Sequence, residues 1–169
     1  NSQRVPSKLI KYYISEYILS NDIKSIEICN KIEEISQIED LRKFIEKIFE
    51  RWKASKFNPK YKNIFIPLIK TASIKQLDEM TEIVDMLVSE YNKIAVAAYG
   101  IRVLSLREEV KQVGILLNSF ILNYKDKRIK MAANEALELI SQKQGITRDE
   151  LNDILVPDFN FQMDRTKIF

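Results

Sequence analysis

Histidine is absent and cysteine occurs once, so carboxylates, lysines and tyrosines are the groups left to move protons. Ser–His and Cys–His nucleophilic pairs cannot form, nor can zinc sites built on His or clustered Cys. Asp78, Glu79, Glu82 and Asp85 are close in sequence, and Glu82 shares a helix face with Asp78 or Asp85 at i, i+4 or i, i+3 spacing. Acid–base work from such a group needs a desolvated pocket that shifts its pKa. The neighbouring residues offer none, and a solvated face is expected. Cys29 lies among Ile26, Ile28 and Ile32. A small buried hydrophobe is expected there, because Lys31 alone is thin support for a reactive thiolate. No catalytic, cofactor-binding or metal-ligating residue is assigned.

One electrostatic constellation remains. Arg51, Lys53, Lys56, Lys60 and Lys62 cluster around a turn, with Trp52, Phe57 and Tyr61 interleaved. Cations can neutralise phosphates and aromatic rings can stack on exposed bases. The plainer account is that Trp52 completes a core stripe while Phe57 and Tyr61 close a helical hairpin. A second basic group, Lys125, Lys127, Arg128 and Lys130, reads as a solvated loop. The net charge of +3, from 27 basic and 24 acidic residues, adds little to a nucleic-acid reading.

These side chains must be positioned by helices. Three Gly and four Pro in 169 residues disfavour a β-sandwich and a glycine-rich nucleotide loop. Apolar residues recur at helical spacing almost throughout. One stripe runs Leu41, Phe44, Ile45, Ile48, Phe49, Trp52, and another Leu77, Met80, Ile83, Val84, Leu87, Val88, Tyr91. A third runs Val110, Val113, Leu116, Leu117, Phe120, Ile121, Tyr124, and a fourth Ile129, Ala132, Ala133, Ala136, Leu137, Ile140. Nine helices are expected, near 6–20, 22–35, 38–55, 60–71, 73–91, 93–104, 107–123, 127–142 and 148–155. Short links between them imply antiparallel hairpins. Pro67 should kink the fourth helix or start its straight part.

Segments 92–106 and 126–141 superpose with an offset of 35, setting Ala97 on Ala132, Ala98 on Ala133, Ile101 on Ala136 and Leu104 on Leu139. Segments 63–72 and 74–91 form a looser third unit. Two helices per unit at a period in the thirties to forties is the signature of HEAT or armadillo-like repeats. The expected fold is therefore an all-α, α-α superhelix, whose alanines let neighbouring helices approach closely. The Ala-bearing segments of the two matched units should then lie side by side.

The stretch GITRDELNDILVPDFNF, 145–161, specifies a short helix. Gly145 suits the left-handed residue that ends the preceding helix. Thr147 and Glu150 form a capping box, and Ile146 with Leu151 form a hydrophobic staple. Leu151, Ile154 and Leu155 are expected to be buried, with Pro157 as the stop. Asp153 and Asp158 flank Val156 and Pro157, where hydrogen bonding within a turn is expected.

Gly145, Thr147, Glu150, Leu151, Asp153, Val156, Pro157 and Asp158, with the upstream stretch FNPKYKNIFIPLI, resemble a junction in large bacterial proteins of the MolR-like family. Members are described as molybdate metabolism regulators or as carrying a domain of unknown function. The resemblance covers roughly 58–161; the first 55 residues match in helical character alone. It implies a HEAT-like region over 1–156, with irregular helices in 1–56, helix pairs in 57–142 and a capping helix in 147–156. It also implies that 157–169 is a linker toward a C-terminal domain, although FNFQMDRTKIF departs from the family's glycine-containing acidic turn.

The single cysteine suggests a reducing, cytoplasmic setting. No apolar run approaches the roughly 18 residues of a membrane span, and no signal peptide is visible. Because the chain begins with Asn, it is expected to be part of a longer polypeptide. The leading expectation is a non-enzymatic scaffold, without cofactor, that binds a protein partner or other domains of its own polypeptide. Nucleic-acid binding through the 51–62 patch is the second reading. An enzyme is the third, using carboxylates, Lys, Tyr or a site shared with another domain.

Overall fold

The computed structural model describes residues 7–19, 27–35 and 38–156. Among them the fold is all-α, with no strand. The helices are α1 (Ser7–Leu19), α2 (Glu27–Ile35), α3 (Ile38–Ala54), α4 (Phe65–Thr71), α5 (Ile74–Asp78), α6 (Met80–Asp85), α7 (Ile94–Val103), α8 (Val110–Asn123), α9 (Lys127–Gln144) and α10 (Arg148–Leu155). A 3-10 turn, Pro59–Ile64, leads into α4, and a π-turn, Met86–Glu90, extends α6. Taking α5, α6 and the π-turn as one interrupted helix gives the nine helical units expected.

Packing arranges these units in two rows. In one, α4 lies against α7 and α7 against α9; in the other, α5 lies against α8 and α8 against α10. The rows are joined through α6 and its π-turn on α7, and α8 and α10 on α9, and α3 packs on α4. The Ala-bearing helices α7 and α9 are close neighbours, and Ala97, Ala98, Ala132, Ala133 and Ala136 are all buried. Methyl side chains permit this approach because they hold the two backbones apart by little more than their own thickness.

Close approach also explains two glycines. A Cβ on Gly100 of α7 would stand 2.8 Å from Cζ of the fully buried Phe65 ring of α4. One on Gly114 of α8 would strike the methyl groups of Leu155 in α10. Both positions lie where helices of the same row meet.

The stripes bury as their spacing requires. Leu41, Ile45, Phe49 and Trp52 of α3 are buried, as are Val113, Leu116, Leu117 and Phe120 of α8, and every named residue of the α9 stripe. One expectation fails, and one pair of matched residues differs. Ile154 is 46% exposed, although Leu151 and Leu155 beside it are buried. Leu139 is 47% exposed whereas its matched residue Leu104 is fully buried. An apolar stripe records the width of a helix's oily face, and these residues sit at its edge with no described helix over them.

Local chemistry fixes where the helices stop. Chain reversal after α3 uses two hydrogen bonds, Lys56 N–H to Lys53 O at 2.9 Å and Phe57 N–H to Trp52 O at 3.1 Å. Lys56 and Phe57 both take positive φ, 57° and 53°. This is a Schellman closure with lysine where glycine is usual. Its accompanying apolar contact is Phe57 on Trp52, with ring centroids 5.1 Å apart. Pro67 occupies the first turn of α4, where its missing N–H removes no helical bond. It thus starts the regular part of the fourth helix, and the preceding bend is at Tyr61 (φ −106°, ψ 17°).

Helix α4 is short, and two arginines bind its final carbonyls. Arg42 donates from Nε to Thr71 O at 2.7 Å, and Arg107 donates from NH1 to Ile69 O at 3.0 Å and Lys70 O at 2.8 Å. Cations there satisfy orphan acceptors and oppose the negative end of the helix dipole.

The end of the described chain follows the expected design. Gly145 has φ 68°, and Thr147 caps α10 in a reciprocal box with Glu150. Thr147 N–H donates to Glu150 Oε2 at 2.7 Å, and Glu150 N–H donates to Thr147 Oγ1 at 3.2 Å. The Thr147 N–H and the Thr147 hydroxyl, which both donate to the Glu150 carboxylate, hold it below its ordinary pKa. Ile146 packs on the core and Leu151 is fully buried, as a staple requires. Asp153 and Val156 are exposed. Pro157, Asp158 and the expected linker 157–169 lie outside the described residues.

Candidate interaction groove

The basic constellation separates into parts with different environments. Arg51, Lys56, Lys60 and Lys62 are exposed, and Lys53 is half-buried. Two of the three interleaved rings are not available to bases: Trp52 is 2% exposed and Phe57 fully buried, while Tyr61 is half-buried. Both belong to an aromatic cluster in which Trp52 also meets Phe65 at 5.2 Å, and Phe57 meets Tyr91 at 5.3 Å, between centroids. The Trp52 indole N–H is used as well, donating to Asn58 O at 2.8 Å. Lys62 lies over the Tyr99 ring of α7, with Nζ 4.7 Å from its centroid. Arg51 shares a shallow depression with Lys43 and Lys47 but also with Glu46 and Glu50, so carboxylates interrupt the positive surface. In the second basic group, Arg128 is bound to Asp126 at 2.9 Å.

A groove of about 420 Å³ opens among α3, α4, α5 and α6. Its apolar lining is Phe49, Leu68, Ile69, Met80, Ile83 and Met86. Its charged lining is Glu46, Glu50, Glu79 and Glu82 against Arg42 and Lys53. Arg42 is already paired with Glu39 and bonded to the end of α4. Glu46 accepts from Gln76 Nε2 at 2.6 Å, tying α3 to α5. Glu50, Glu79 and Glu82 are exposed. Two of the four carboxylates singled out in sequence, Glu79 and Glu82, therefore face this groove, while Asp78 and Asp85 do not line it. Asp85 instead accepts a hydrogen bond from the Tyr124 hydroxyl.

The wall formed by α5 and α6 is irregular. The helix is interrupted at Glu79, and the π-turn begins at Met86; both residues line the groove. π-turns concentrate at functional positions because their extra residue re-aims side chains. Two methionines in the lining add side chains that adjust to irregular partners.

A second polar cluster was invisible in the sequence. Glu33 Oε1 accepts from Tyr13 OH at 2.7 Å and Tyr17 OH at 3.1 Å, while Glu33 Oε2 meets Lys70 Nζ at 2.7 Å. Lys70 also donates to Asn30 Oδ1 at 2.7 Å and Tyr17 OH at 3.0 Å. Burial and the Glu33 charge push both tyrosine pKa values up. Cys29 is fully buried beside them, and burial raises its thiol to about 11, which makes it unreactive at neutral pH. The contributing residues span α1, α2 and α4, and no sequence periodicity links such distant positions.

Among the described residues no three Cys, Asp or Glu side chains are grouped to hold a metal ion, and no helix is long and apolar enough to cross a membrane. No family model, curated protein or solved structure matches the chain.

Proposed function

We propose that this chain is a non-enzymatic helical scaffold, a HEAT or armadillo-like α-α superhelix that presents its surface to a protein partner or to other domains of its own polypeptide. The observation that carries this reading is the packing of α7, with its buried alanines, against α9, with its own, while α8 packs against α10 and α9. Successive units leaning on one another generate long surfaces of this kind. The resemblance of 58–161 to the MolR-like family extends the reading to a cytoplasmic segment of a larger bacterial protein with a regulatory role. In that reading, the capping box at Thr147 closes the array and 157–169 leads to a further domain.

The test is affinity capture with the full-length polypeptide, followed by alanine variants at exposed positions along both rows. A specific partner should be recovered, and a contiguous subset of variants should lose it while remaining folded. Recovery of no specific partner removes the proposal.

A second reading, nucleic-acid binding, is favoured by the exposure of Arg51, Lys56, Lys60 and Lys62 around one turn. With Trp52 and Phe57 in the core, it rests on phosphate contacts and on the half-buried Tyr61 ring. Affinity should then fall steeply with salt, and absence of DNA or RNA binding at low salt ends it.

A further inference from the structure

Resting on the scaffold reading, we propose that the groove among α3, α4, α5 and α6 is the partner site, and that its occupant is a cationic amphipathic helix of a protein partner. Charge complementarity selects that occupant. The apolar lining, with Ile83 and Met86 half-buried, offers contact to the oily stripe of a peptide helix. Helix-in-groove recognition uses such a stripe, read as anchors at i, i+3 or i+4, and i+7. Around the apolar lining, four carboxylates face two cations, and one of these, Arg42, is held by Glu39. An incoming acidic helix would meet Glu50, Glu79 and Glu82 with like charge, whereas Lys or Arg flanking the stripe would pair with them. Such rim pairs govern partner choice and encounter rate more than total affinity.

Position within the fold supports the same site. The groove lies where α3 and the α5–α6 helix, tied by the Glu46–Gln76 hydrogen bond, flank α4. Gln76, Glu79, Ile83 and Met86 recur at i, i+3 or i+4 spacing, so one face of the α5–α6 helix lines the groove. The basic residues Lys43, Lys47 and Arg51 lie outside the groove, in a shallower neighbouring depression that shares Glu46 and Glu50 with it.

The proposal can be tested with a randomised 16-residue peptide library displayed against the immobilised 169-residue chain. Enriched sequences should carry Lys or Arg beside an i, i+3/i+4, i+7 apolar stripe. Synthetic versions should lose at least tenfold in affinity toward the double variant Glu79→Lys/Glu82→Lys, and similarly toward Met86→Asp. These groups are exposed or half-buried, and circular dichroism checks that each variant remains folded. A conservative pair, Glu79→Gln/Glu82→Gln, should give an intermediate loss. Enrichment of acidic or neutral peptides, or affinity unchanged in the charge-reversed variant, overturns the proposal. If peptides bind but only variants elsewhere weaken them, the groove assignment falls and the scaffold reading stands. If the library yields nothing and the full-length protein also captures no partner, both fall. Loss of peptide binding together with self-association of the chain, read by sedimentation, would assign the groove to a second copy and likewise overturn the proposal.

Discussion

At the scale of single residues, the turn after α3 shows how one backbone conformation can have opposite consequences for adjacent side chains. Lys56 and Phe57 both occupy the left-handed region, which disfavours residues carrying a Cβ. Lys56 is exposed and its side chain gains nothing there, so Lys56→Gly should stabilise the fold by about 0.5–1 kcal/mol. Phe57 is fully buried against Trp52, Phe49 and Tyr91, so Phe57→Gly should lose several kcal/mol despite the same relief. Denaturant midpoints at unchanged slope would check both signs. A destabilised Lys56→Gly would mean that the lysine stem contributes packing at the turn. The sequence disclosed little of this. KASKFNP contains no glycine, and glycine is the usual mark of such a closure.

At the scale of elements, much was legible and the reasons are specific. The α3, α8 and α9 stripes keep their apolar residues on one face, so both the helices and their buried sides follow from spacing. The capping box of α10 is local chemistry within four residues and appears as written. The interruption at Glu79 and the π-turn at Met86 were not legible, because Leu77, Met80, Val84 and Leu87 fit a regular helix equally well. Nor was the role of Gly100, since closeness to Phe65 is a property of two helices far apart in sequence. That closeness makes a prediction. Gly100→Ala forces a methyl group into a fully buried ring and should cost about 1–3 kcal/mol. Gly114→Ala meets Leu155, a flexible side chain on the last described helix, and should cost less. Thermal unfolding of the two variants should rank Gly100→Ala as the less stable. The reverse order would show that α4 and α7 can separate more readily than α8 and α10.

At the scale of the whole molecule, the two ends are held by different forces. Helices α7 and α9 pack together and bury alanines and other apolar side chains. In contrast, α2 meets α1, and α1 meets α4 and the 3-10 turn, around the Glu33, Lys70, Tyr13 and Tyr17 cluster. Removing the shared acceptor by Glu33→Ala leaves the fully buried Tyr13 hydroxyl without its partner and Lys70 without its counter-charge, at a cost of about 2–3 kcal/mol. On the repeat reading proposed above, stability is close to a sum of neighbour terms, and this loss should stay local. Amide exchange in α1 and α2 should accelerate at least tenfold while α7, α8 and α9 keep their protection. High pH should act on the same end. The folded cluster holds the Cys29 proton until about 11 and raises both tyrosines, whereas an unfolded thiol releases its proton near 8.5. Between those values the unfolded state binds fewer protons, so stability falls as pH rises, and α1 and α2 should open first. Uniform acceleration across all helices, in Glu33→Ala or at pH 10, would instead identify one cooperative unit in which the polar cluster and the alanine stack cannot come apart.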